Sequence, residues 1–118
     1  MEGQLITGFE NRDAFEAFLL EDHPGVFVQF TASWCRPCRA IGPIVSRFIK
    51  ENSGKIMCCR LDVDENADLY AYLKRKRLIN GIPCLYFYDK TNHSLPPTRT
   101  ITTGNERLVD SFLKALPI

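Results

Sequence analysis

Apolar residues recur at two different spacings along the chain, and the switching between them predicts alternating strands and helices. Val26-Phe27-Val28-Gln29-Phe30 is a nearly unbroken apolar run, as expected of a central strand covered on both faces. Residues 56–62 and Leu85-Tyr86-Phe87-Tyr88 read the same way, while residues 5–7 and 99–102 are shorter strand candidates. Helical spacing places Ala14, Phe15, Phe18 and Leu19 on one face after Asn11, and His23-Pro24-Gly25 closes that helix. A longer helix starts close to Cys35, carries Ile41, Ile44, Val45, Phe48 and Ile49, and stops at Ser53-Gly54. Pro43 lies inside it, removes one backbone donor and is expected to kink it. Asn66 is placed to cap a third helix bearing Leu69, Tyr72, Leu73 and Lys76. Thr103-Gly104-Asn105-Glu106 has capping-box spacing before a last helix with Leu108, Val109, Phe112, Leu113 and Leu116. Between the last two strands, residues 89–97 form a long hairpin connection containing Pro96 and Pro97. The order βαβαβαββα predicts an α/β fold: a central mixed β-sheet with helices on both faces.

A chain of 118 residues fits a single domain spanning 1–118. At 45% hydrophobic and 25% charged residues it can bury an ordinary core. A net charge of +1 gives no reason to propose a nucleic-acid or membrane partner, and no apolar run approaches the ~20 residues of a membrane span. The start, Met1-Glu2-Gly3-Gln4-Leu5-Ile6-Thr7-Gly8, lacks a basic segment followed by an apolar stretch, so it does not read as a signal peptide. The expected location is therefore cytoplasmic. Five cysteines, an odd number, fit a reducing compartment better than a secreted disulfide framework.

Cys35 and Cys38 stand three apart at the start of a helix, which puts both sulfurs on one side of the first turn. There the unpaired backbone N–H groups and the helix dipole favour an anion. The Cys35 thiol should ionise more readily than the ~8.5 reference, making it a nucleophile at neutral pH. It would attack a substrate disulfide to give a mixed disulfide; Cys38 would then attack the Cys35 sulfur and release the reduced substrate. The competing reading is half of a zinc site. Cys58-Cys59 lacks the spacing of a second half, and His23 and His93 form no second motif. The redox reading is preferred, and no metal is expected.

The wider sequence resembles the thioredoxin family over nearly its whole length. The residues that carry the resemblance are 28–39, Val-Gln-Phe-Thr-Ala-Ser-Trp-Cys-Arg-Pro-Cys-Arg, then Pro43, Asp62-Val63-Asp64-Glu65-Asn66, Gly81-Ile82-Pro83 and Gly104. The resemblance implies the thioredoxin fold, a cis bond before Pro83, and an apolar rim of Trp34, Ile82 and Pro83 around Cys35 on which clients dock. It implies disulfide-bearing client proteins as partners, and recharging by a thioredoxin reductase or a glutathione-linked donor. No prosthetic group is required, because the electrons are stored in the Cys35–Cys38 disulfide.

Several positions depart from the family pattern. Gln29 stands where thioredoxins usually carry a buried aspartate; glutamine cannot take a proton at neutral pH, so slower resolution by Cys38, or a water in the carboxylate's place, is expected. Arg60 replaces a lysine, and would either stabilise a thiolate or point to solvent. Arg36 replaces a glycine and should stabilise the thiolate, whereas Pro37 is retained and goes with reducing behaviour in the family. Together these suggest a net reductant with a potential somewhat above the ~−270 mV of thioredoxin. Cys84 follows Pro83, where threonine is common, and reads as core filling or else as a third redox or cluster-binding thiol. Cys58 and Cys59 read as core residues on opposite faces of a strand. The basic run Lys74-Arg75-Lys76-Arg77 reads as a solvated helix end, with an acidic partner, nucleic acid or targeting as alternatives.

The leading function is thus a protein-disulfide reductase working through a Cys35/Cys38 dithiol–disulfide cycle. A thioredoxin-like adaptor with slow redox activity is the alternative, and an oxidase or isomerase a third.

Overall fold

The computed structural model describes residues 4–118. Its elements run β1 (Leu5–Ile6), α1 (Arg12–Leu20), β2 (Val26–Thr31), α2 (Arg36–Asn52), β3 (Met57–Asp62), α3 (Ala67–Arg75), β4 (Cys84–Tyr88), β5 (Arg99–Thr102) and α4 (Glu106–Lys114). This is the order anticipated from the hydrophobic pattern.

The five strands lie in the order β1-β3-β2-β4-β5. β3 pairs in parallel with both β1 and β2, and β4 runs antiparallel to β2 and β5. β2 is therefore central, and its first five residues are buried. Strand alternation sends neighbouring side chains to opposite faces. Val28, Phe30, Cys59, Tyr86 and Tyr88 join Phe15, Leu69 and Leu73 from α1 and α3 in one core layer. Phe27, Cys58, Leu85 and Phe87 join Ile41, Val45, Val109 and Leu113 from α2 and α4 in the other. Cys58 and Cys59 thus serve different layers, as expected.

Three helix details differ from the sequence pattern. Asn66 precedes α3, but its side chain makes no cap hydrogen bond there. Its Oδ1 accepts the Phe9 N–H at 2.9 Å and its Nδ2 donates to the Asp62 carbonyl at 3.0 Å, so it ties the β1–α1 connection to the end of β3. At α4 the cap is Asn105, whose Oδ1 accepts the Leu108 N–H at 3.0 Å. Thr103 instead accepts the Asn105 N–H. Both residues have capping oxygens, and the one nearer the helix takes the position. Leu108 and Lys76 are exposed rather than part of the apolar stripes. α2 runs through Pro43 from Arg36 to Asn52, with Pro43 on its exposed side.

Two tyrosines on β4 secure the loops of the first layer. The Tyr86 hydroxyl donates to the Leu78 carbonyl at 2.6 Å, and the Tyr88 hydroxyl donates to the Leu95 carbonyl at 2.7 Å.

Candidate active site

β2 ends at Thr31, and a short turn through Trp34 delivers Cys35 to the N-cap of α2. The Cys35 Sγ accepts the Cys38 N–H at 3.3 Å, so sulfur takes the place that a serine or aspartate oxygen fills in an ordinary cap. Cys35 and Cys38 are joined as a disulfide, with Cα atoms 5.3 Å apart. Both are nearly buried, at 4% exposure each. The first turn of α2 carries no acidic side chain, so nothing there offsets the positive end of the helix dipole.

The two cysteines border different depressions. Cys35 faces a groove of about 510 Å³, whose walls include Trp34, Arg36, Tyr70, Lys74 and Ile82. Cys38 borders a cleft of about 690 Å³ that also includes Gln29, Ser46, Arg60, Asp62 and Glu65.

Trp34 is 65% exposed. Its indole is held by a 2.8 Å bond from Nε1 to the Asp64 carboxylate, so the ring stands fixed at the groove edge. The Ile82–Pro83 bond is cis, as the resemblance implied. Ile82 lines the groove, whereas Pro83 is itself buried. Arg36 and Pro37 are exposed on the first turn. Pro37 also packs against Gly104: a Cβ built on Gly104 would stand 2.7 Å from the Pro37 Cβ.

Gln29 is 3% exposed. It is directly opposite Arg60 in the parallel register, on the face covered by α2. The Arg60 Nε donates to the Gln29 Oε1 at 2.8 Å, and its Nη2 donates to the Ser46 hydroxyl at 2.8 Å. The solvent-pointing alternative for Arg60 is therefore corrected: its guanidinium ties β3 to Gln29 and α2, and it borders the cleft that Cys38 shares. A guanidinium can only donate, so the oxygen of Gln29 is committed to it and the amide NH₂ is left for the cleft that Cys38 shares.

Cys84 is buried, and its sulfur lies 3.5 Å from the hydroxyls of Thr100 and Thr102. Burial pushes its thiol up, with the two hydroxyls acting in the opposite sense. Burial also pushes the Cys58 thiol up to about 11 and raises that of Cys59. These three cysteines are free. Of the basic run, Lys74 reaches the groove, while Arg75 and Lys76 lie over the Tyr72 ring. Tyr70 had no signal in the sequence, and Lys74 and Asp64 were visible only as part of the basic run and of the family pattern, not as neighbours of Cys35. They come from α3 and the β3–α3 turn, and only the fold brings them to Cys35.

The thioredoxin family model matches residues 7–113. Thioredoxin from Chlorobaculum thiosulfatiphilum is 37% identical over 110 residues, covering 92% of this chain and 84% of that protein. The chloroplastic M-type thioredoxin of Pisum sativum is 35% identical over 66% of this chain, which spans 43% of that protein's length. Among solved structures, Trichomonas vaginalis thioredoxin superposes with a TM-score of 0.71 at 22% identity, covering 92% of this chain and 95% of the other. With a disulfide-bonded cysteine pair capping α2, this chain belongs to the thioredoxin family and is a thiol–disulfide oxidoreductase that reduces protein disulfides.

Proposed function

We propose that Cys35 is the attacking sulfur and Cys38 the resolving one. The observation that carries this assignment is the cap: the reduced Cys35 sulfur would keep the Cys38 N–H and the positive end of α2, both of which favour a thiolate. The thiolate attacks one sulfur of a client disulfide, and the other client sulfur leaves as a thiolate and takes up a proton. Cys38 then loses its proton and attacks the Cys35 sulfur, so the client gains two electrons and two protons and the Cys35–Cys38 bond re-forms. Trp34, Ile82 and Pro83 shape the place where the client chain lies. Arg36 adds positive charge beside the thiolate, and Pro37 shapes the turn between the cysteines. Gln29, oriented by Arg60, presents a donor toward the Cys38 side and cannot itself take the Cys38 proton, which leaves through the cleft that Cys38 borders. Cys84 is a packing residue in this reading.

Disulfide-bearing proteins and a reductase are the partners that family membership brings. The finer reading is that a thioredoxin reductase recharges the pair with no prosthetic group on this chain, and that the protein works in the cytoplasm. The M-type relative named above is chloroplastic, and no helix among the described residues is long and apolar enough to cross a membrane. The test is a trapping experiment with insulin as client. Cys38→Ser should accumulate a mixed disulfide through Cys35, and Cys35→Ser should trap none. Trapping by Cys38 alone would reverse the assignment.

A further inference from the structure

The groove beside Cys35 does not end at Lys74. Lys74 and Asn80 also border a second depression of about 580 Å³, which continues past Arg77 to Thr100 and Thr102. Neither depression has an aspartate or glutamate in its lining. Arg36, Lys74 and Arg77 thus stand along one continuous carboxylate-free surface that begins at the nucleophile. Among the described residues the one ion pair is Lys114–Asp110, on α4, so none of the three cations is neutralised by a neighbour at ion-pair distance.

The placement of these charges is structured. The Lys74 ammonium lies 5.3 Å from the centroid of the Tyr70 ring, within cation–π range, and Tyr70 is itself a wall of the groove. Arg75 and Lys76 go with Tyr72 instead. Arg77 then takes a left-handed backbone, with φ of 59°, which turns the chain and separates it from those two. The basic run is therefore divided, and Lys74 and Arg77 are its members that meet the site. The opposite end of the groove differs in sign, because Trp34 there is bonded to Asp64.

We propose that this row of cations selects clients whose chain carries acidic residues on one side of the reacting disulfide. The inference rests on Cys35 being the attacking sulfur, which fixes where the client cystine lies. An acidic side chain beside that cystine meets Arg36, and those further along meet Lys74 and Arg77. The bonds made and broken are those of the ordinary exchange. The charges act on encounter and on the mixed disulfide, and they repel a basic segment. A peptide suits the surface better than a phosphate backbone, since the row starts at a thiol flanked by Trp34 and Ile82.

The test uses three synthetic peptides that share one cystine loop and are extended by three glutamates, three serines or three lysines. Single-turnover reduction by the reduced protein should favour the glutamate peptide over the lysine peptide about 10-fold at low salt, equivalent to ~1.4 kcal/mol. The preference should fade as salt shortens the Debye length to about 3 Å near 1 M. In Lys74→Glu/Arg77→Asn the ratio should fall to about one, Asn being tolerant of the left-handed turn. The ratio is taken within each protein, so altered thiol reactivity cancels, and the salt series needs no variant. Equal rates for both charged peptides in the unmodified protein would overturn the proposal, as would a preference that survives the double substitution. Stronger inhibition by a short single-stranded DNA than by a cystine-free acidic peptide would overturn the assignment to a peptide. Failure to reduce insulin as well as all three peptides would instead sink the reductase reading on which the proposal stands.

Discussion

Gly104, in the β5–α4 turn, is the position that meets Pro37 between the two cysteines, and Gly104→Ala tests that contact. A Cβ there would stand 2.7 Å from the Pro37 Cβ and 3.3 Å from its Cα. Ordinary contact begins near 3.4 Å, so Pro37 or the β5–α4 turn must move by roughly 0.7 Å, an overpacking of the kind that costs about 1–3 kcal/mol. The backbone at Gly104 lies outside the left-handed region, so alanine adds no backbone strain and recovers ~0.4–1 kcal/mol of unfolded-state entropy. The net expectation is a loss of about 1–2 kcal/mol. With a urea slope of ~1–3 kcal/mol/M for a small domain, the midpoint should fall by about 0.5–1 M. Pro37 lies between the two cysteines, and the closed disulfide leaves that turn less able to yield than the open dithiol. The oxidised form should therefore lose more stability than the reduced one. A difference of ~1 kcal/mol would raise the reduction potential by about 20 mV. Urea melts of both redox forms, with a glutathione-buffer titration, measure all three quantities. An alanine variant as stable as the parent in both forms, with the same potential, would refute the claim that the two surfaces meet here.

Gln29→Glu keeps side-chain length and the Arg60 contact but adds a group able to accept a proton; it should speed resolution of the mixed disulfide about 10-fold or more at neutral pH in stopped-flow traces. An unchanged second phase would remove Gln29 from that step. Tyr86→Phe deletes the 2.6 Å bond to the half-buried Leu78 carbonyl and should cost ~0.5–1.5 kcal/mol in a denaturant melt, the usual net worth of such a bond. Cys58 is protonated more firmly when folded than when unfolded, so its contribution to stability is held below pH 9 and is lost as pH rises toward about 11; urea midpoints should fall across that window, and less so in Cys58→Ala. At pH 8 the reduced native protein should take alkylating label first at Cys35, with Cys58, Cys59 and Cys84 labelled only after unfolding, as counted by mass spectrometry.

Much of the fold was legible because β2 and β4 are buried on both faces and leave nearly continuous apolar runs, β3 keeps an apolar start before Arg60, and each helix leaves a stripe. Cap assignment was less legible, since Thr103 and Asn105 offer equivalent oxygens and only the helix start decides between them. The cysteine pair was visible from spacing alone. What surrounds it was not, because Tyr70 and Lys74 reach the groove through the packing of α3. The orientation of Gln29 was equally hidden: an amide has both donors and an acceptor, and the Arg60 guanidinium selects which end faces the cleft.

The two tyrosine tethers of β4 leave a trace that comparative sequence data would carry. Each hydroxyl grips a main-chain carbonyl, at residues 78 and 95, and every amino acid supplies that group. Tyr86 and Tyr88 are thus constrained while the residues they hold remain free to drift. The segment at residue 78, next to the redox groove, and the loop at residue 95, at the far end of β4, can each be rewritten without loosening their attachment to the sheet.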